Sequence, residues 1–108
     1  MNKIIKIFTN NASKLSLVYR VKILDEAKYY SIPRESNAVV ADIFLIGEEH
    51  QDIFTEALKE IKKFMPNHSL EDIEALVENC DNETNSFSFG KYEFIVTCDC
   101  DCIEYNEL

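Results

Sequence analysis

Apolar and polar residues alternate along the N-terminal part of the chain and then change period in its middle. Leu15, Leu17, Tyr19, Val21 and Ile23 take the odd positions, and Ser16, Arg20 and Lys22 fall between them. This period of two predicts a strand with one face in a core. Residues 3 to 9 alternate more weakly up to Asn10-Asn11, which predicts a first strand closed by a turn. Asp25-Glu26 marks a turn or bulge, and Lys28 to Ile32 reads as a short strand ending before Pro33. Ala38 to Ile46 is apolar almost throughout, broken by Asp42, so the expectation is a central strand covered on both faces, with Gly47 ending it.

From Glu48 to Met65 the period becomes helical. Ile53, Ala57, Ile61 and Phe64 fall on one stripe beside Phe54, Leu58 and Met65, and Glu49, Asp52, Glu56, Glu60 and Lys63 take the other faces. Lys59, Lys62 and Lys63 come late in the segment, as the helix dipole favours, and Pro66-Asn67 stops it. Ser69 with Asp72 forms a capping pair ahead of a second stripe of Leu70, Ile73, Leu76, Val77 and Cys80. A polar loop over 81–86 follows. Phe87 and Phe89 then share one parity, and Tyr92, Phe94, Val96, Cys98, Cys100 and Cys102 share the other. A turn at Gly90-Lys91 or a glycine bulge accounts for the switch. The expected fold is a single α+β domain over residues 1–108. It comprises a mainly antiparallel sheet of about five strands with two consecutive helices packed on one face.

Composition supports one core. Of 108 residues 46% are apolar and 12 are aromatic, while two Gly and two Pro leave no linker composition. The N-terminal run of Ile4, Ile5, Ile7 and Phe8 is broken by Lys6, and no small-residue cleavage site follows it; it reads as a strand rather than a signal peptide. No stretch approaches the roughly 18 apolar residues of a membrane helix. Of four cysteines, at 80, 98, 100 and 102, the last three lie too close along the chain for the long-loop bridges of a secreted scaffold. Thiols in the reducing cytoplasm are the expected state.

Charge is divided along the chain. The formal net charge is −9, yet up to Arg34 there are seven basic residues against Asp25 and Glu26, and the last 43 residues hold Lys91 as their single Lys or Arg against eleven acids. Such a chain repels nucleic acid and anionic membrane and attracts basic protein surfaces.

The Cys98-Asp99-Cys100-Asp101-Cys102 run invites a metal reading, and its spacing opposes one. Alternate strand residues sit about 6.7 Å apart, whereas sulfurs about 2.3 Å from one zinc lie within roughly 4 Å of each other. Inward thiols continuing the face of Tyr92, Phe94 and Val96 are the favoured reading, with Asp99 and Asp101 outward; a thiol or metal protein centred on these cysteines, completed by Cys80, His50 or His68, is the alternative. No nucleophile, glycine-rich phosphate loop or EF-hand pattern stands out, so neither catalytic residues nor a cofactor is assigned. Asp42, within an apolar run, requires a partner such as Arg20 or Lys22.

The remaining candidate is the acidic surface. Glu71, Glu74 and Glu78 form one helical stripe, and Glu93, Asp99, Asp101, Glu104 and Tyr105 extend the acidic C-terminal part, with Tyr92 a further aromatic that could anchor a contact. Their pitch is comparable to that of nucleic-acid phosphates. In size, charge and lack of a catalytic constellation the chain resembles the general class of phage-encoded inhibitors of bacterial defence systems, anti-CRISPR proteins among them, and the immunity proteins that neutralise toxins. The expectation is therefore a non-enzymatic inhibitor that binds a basic, nucleic-acid-handling protein as a nucleic-acid mimic, without contacting nucleic acid or membrane itself. The alternative is a subunit or adaptor that uses the sheet near Tyr29, Tyr30 and Ile32, or a homodimer joined along an edge strand.

Overall fold

The computed structural model describes residues 3–8, 17–78 and 84–99. The alternating segments form β1 (Lys3–Ile7) and β2 (Leu17–Asp25), and the apolar run forms β3 (Val39–Gly47). The parity switch separates β4 (Thr84–Phe89) from β5 (Tyr92–Asp99). One five-stranded sheet results, in the order β1-β3-β2-β5-β4. β1 runs parallel to β3, and the other three neighbouring pairs are antiparallel. This is the α+β arrangement that the periodicities predict, mainly antiparallel with one parallel edge strand.

The odd positions of β2 do what their alternation predicts. Tyr19, Val21 and Ile23 lie opposite Leu45, Ile43 and Ala41 of β3 on one side and Cys98, Val96 and Phe94 of β5 on the other. Over this face lie helices α2 (His50–Lys62) and α3 (Leu70–Glu78), numbered after the short α1 (Glu26–Tyr29). Ile53, Ala57, Leu58 and Ile61 of α2 and Ile73 and Val77 of α3 close the main core, with Cys98 partly buried against it. Burying each large aliphatic side chain contributes about 1.5–3 kcal/mol, enough to hold two short helices that would be marginal alone. On the opposite face Val18, Phe44 and Ile46 form a second cluster, so β3 is buried on both sides from Ala41 onward, as its largely apolar run predicts.

Local chemistry fixes the connections. Ser69 Oγ accepts the Asp72 backbone N–H at 3.1 Å, which caps α3. Gly90 takes a φ of +61° and no other described residue has a positive φ; glycine first in a two-residue turn is the type II′ hairpin pattern, and it pairs Phe89 with Tyr92.

The segment Lys28 to Ile32 corrects the expectation of a short strand. Asp25 Oδ1 accepts the N–H groups of Ala27 and Lys28 at 3.1 and 3.4 Å, and the chain turns into α1 instead. Both edges of β2 are already taken by β3 and β5, so the β-favouring Tyr29 and Tyr30 cannot pair beside the strand they follow, and the Asp25 cap, worth about 1 kcal/mol, favours the helical turn. Tyr30 and Ile32, which the adaptor reading placed on the sheet, stay exposed in the segment that follows α1 rather than in a strand.

Candidate protein-binding surface

The helical layer carries a surplus of carboxylates because its lysines are engaged. Lys59 Nζ lies 3.1 Å from Glu56 Oε1, Lys63 Nζ lies 2.9 Å from Glu60 Oε2, and Lys6 reaches across from β1 to Glu60 Oε1. Lys62 Nζ donates to the carbonyls of Pro66 and His68 at 3.4 and 2.5 Å. Burial alone would push the Glu60 carboxyl up, and hydrogen bonds from Lys6 and Lys63 outweigh it, holding the group below its ordinary value. Glu49, Asp52, Glu71 and Glu78 are exposed and Glu74 is half-buried; none makes an ion pair among the described residues. A groove of about 470 Å³ beside the first turns of α2 has Phe8 and Ile53 in its lining and Glu49, Asp52 and Glu56 along it.

The sheet divides the acidic residues singled out in the sequence. Glu71, Glu74 and Glu78 are on α3, in the helical layer. Phe94 is fully buried in the core beneath the helices, so strand parity puts its neighbour Glu93 on the opposite face, where Glu93 Oε2 accepts a hydrogen bond from Tyr30 Oη at 3.3 Å. Glu93 and the α3 stripe are therefore not one patch. Asp99 ends β5 opposite Val18 in the backbone register. Asp101, Glu104 and Tyr105, with Cys80, Cys100 and Cys102, lie outside the described residues. Tyr92 packs edge-on to Phe64 with centroids 5.3 Å apart and joins the core margin, partly buried.

The helix-free face of the sheet has a different character. Arg20 Nε and Nη2 each donate to one oxygen of Asp42 at 2.8 Å, so the carboxylate in the apolar strand has the partner its position requires. This diagonal pair follows from the register, in which Arg20 lies opposite Phe44 and Lys22 opposite Asp42. Hydrogen bonding from Arg20 holds the Asp42 carboxyl below the ordinary range. The Arg20 guanidinium and the Lys3 ammonium stand 4.9 and 5.7 Å from the centre of the Phe44 ring. Lys3, Arg20 and Lys22 thus offset Asp42 and Glu93 on this face, whereas the helical layer keeps Glu49, Asp52, Glu71, Glu74 and Glu78 without an ion pair among the described residues.

Sequence reasoning missed a recess of about 340 Å³ where β2, β4, β5, α2 and α3 meet. Tyr19 Oη lies 2.6 Å from His50 Nε2, His50 and Phe54 stack at 26°, and Tyr19 leans against both rings. Glu74 and Glu78 line the side given by α3, and Cys98 lines the side given by β5. The sequence offers His50 only as a possible completion of a cysteine-centred site, and nothing in the spacing joins it to a tyrosine 31 residues earlier.

Among the described residues, no helix is long and apolar enough to cross a membrane, and no three His, Cys, Asp or Glu side chains gather as a metal site. Comparison with protein-family models, curated proteins and solved structures gives no match.

Proposed function

We propose that this chain is a protein-binding inhibitor, of the kind phage encode against bacterial defence systems, which seats its helical layer on a basic, nucleic-acid-handling surface of a partner. The observation that supports this reading is the segregation of charge by layer. Glu49, Asp52, Glu71, Glu74 and Glu78 are without ion pairs among the described residues, while the lysines around them are engaged by Glu56, Glu60 and backbone carbonyls. Acids three and four residues apart on a helix stand about 5–6 Å from one another, a pitch that a Lys/Arg-lined groove built for phosphates accommodates. Excess negative charge also raises the encounter rate with such a groove.

The test compares two sets of neutralising substitutions. One carries Glu49→Gln, Asp52→Asn, Glu71→Gln, Glu74→Gln and Glu78→Gln; the other carries only Glu93→Gln, on the opposite face of the sheet. Partners captured from a bacterial lysate at about 0.1 M NaCl are challenged with a double-stranded DNA oligonucleotide. Displacement by DNA, together with a loss of roughly tenfold or more in affinity in the first set alone, is the expected result. Undiminished binding of the first set in low salt overturns the reading.

A further inference from the structure

The geometry points to the recess between α3 and the Tyr19, His50 and Phe54 rings as the anchor site for an arginine side chain of the partner. This rests on the helical layer being the contact surface, and it adds the specificity that acidic residues alone do not give. A volume of about 340 Å³ is near the lower end of ligand pockets, roughly 300–1,000 Å³, and suits one side chain rather than an extended segment.

The recess combines flat rings with carboxylates. Tyr19 is 4% exposed, and its hydroxyl contact with His50 Nε2 holds the two rings in place before any ligand arrives. Phe54 stacks beside His50 with centroids 6.3 Å apart. A guanidinium is planar, weakly hydrated and attracted to ring faces, so it can enter such a site at lower desolvation cost than an ammonium. Glu74 and Glu78 are one helical turn apart on the rim and can accept hydrogen bonds from its five N–H donors, which a lysine cannot match in a planar fork. The same carboxylates disfavour a phosphate or carboxylate ligand, and they would be left unpaired by an apolar one. Arginine also recurs among the residues that carry most of the energy of protein interfaces.

The intact chain, labelled with ¹⁵N, is titrated separately with N-acetyl-L-arginine amide, N-acetyl-L-lysine amide and N-acetyl-L-citrulline amide, with amide shifts as the readout. The arginine compound is expected to give saturable shifts centred on Gln51, Phe54, Val77 and Cys98, with the lysine compound about fivefold or more weaker and the uncharged citrulline compound without effect. Glu74→Gln with Glu78→Gln is expected to weaken arginine binding about tenfold without lowering the melting temperature, whereas Glu49→Gln with Asp52→Asn leaves it unchanged. Equal binding of arginine and lysine, or shifts centred on Glu49 and Asp52, overturns the site. A parallel titration with poly-L-lysine separates this outcome from failure of the underlying reading. Salt-dependent poly-L-lysine binding without the localised arginine shifts removes the anchor and leaves the acidic layer standing. Localised arginine shifts without poly-L-lysine binding leave an arginine-selective recess but overturn the acidic layer as the contact surface, and with it the recess as the partner's anchor.

Discussion

Asp42 holds both of its oxygens against Arg20, and the two side chains differ in their access to water: that of Asp42 is 12% exposed and that of Arg20 is 40% exposed. Truncating the arginine strands a carboxylate in a mostly apolar strand, whereas truncating the aspartate leaves a guanidinium that water can reach. Arg20→Ala is therefore expected to destabilise by about 1–3 kcal/mol, and Asp42→Ala by less, in urea denaturation at neutral pH. A larger loss in Asp42→Ala contradicts this ranking. The pair also sets a pH dependence. Because Arg20 hydrogen bonding depresses the Asp42 pKa in the folded state, its contribution is fully present above the ordinary carboxylate value near 4 and is lost as pH falls through the lower folded value. In Arg20→Ala that depression is relieved, so the acid-side decline attributable to Asp42 shrinks. Urea midpoints between about pH 5 and 2 check it.

Three elements illustrate what one contact or one missing methyl does to a whole strand or turn. β1 exposes Ile4, Ile5 and Ile7 and, among the described residues, pairs with β3 alone, while Lys6 ties it to Glu60 of α2. Lys6→Met is expected to lower hydrogen-exchange protection along the β1–β3 ladder more than along β2–β5, because the tie secures an edge rather than the core. A uniform fall across the sheet would assign it a global role. Gly47 and Gly90 separate two reasons for glycine. A Cβ on Gly47 would stand 2.1 Å from Ile53 Cδ1, an atom of the closed core, while one on Gly90 meets nothing within 4 Å and suffers only from the φ of +61°. Gly47→Ala is expected to cost about 1–3 kcal/mol through overpacking and Gly90→Ala about 1 kcal/mol through backbone strain, both measurable by thermal melting. At this scale the sequence carries its signals where burial is periodic. Tyr19, Val21 and Ile23 reveal β2, the run at 39–46, apolar but for Asp42, reveals a doubly covered strand, and Ser69 with Asp72 reveals the start of α3. The parallel placement of β1 is hidden, because its weak alternation fits an edge strand of either direction. α1 is hidden because Tyr29 and Tyr30 favour strands, while β3 and β5 occupy both sides of β2, the strand they follow.

For the whole molecule, the division of charge along the chain becomes a division between layers, and the sequence shows only the first. The α3 stripe is legible from its helical spacing, but Glu93 is separated from it by the thickness of a sheet, which no linear pattern encodes. The recess is illegible for the same reason: Tyr19, Phe54, Glu74 and Cys98 come from four elements. The charge surplus has a consequence for stability that is independent of any partner. Folding gathers Glu71, Glu74 and Glu78 onto one helix and sets the unpaired acids of α2 in the same layer, so like charges stand closer in the native state than in the extended chain. Screening length falls from about 30 Å at 0.01 M salt to about 10 Å at 0.1 M, which relieves this repulsion more than it weakens the short Arg20–Asp42 and Lys63–Glu60 contacts. The thermal midpoint is accordingly expected to rise by a few degrees between about 0.01 and 0.3 M NaCl. Glu71→Gln with Glu74→Gln and Glu78→Gln is expected to start higher in low salt and to rise less. A midpoint that falls with added salt would mean that the paired contacts dominate the surface, and the helical layer would then lack the uncompensated field on which recognition of a basic partner depends.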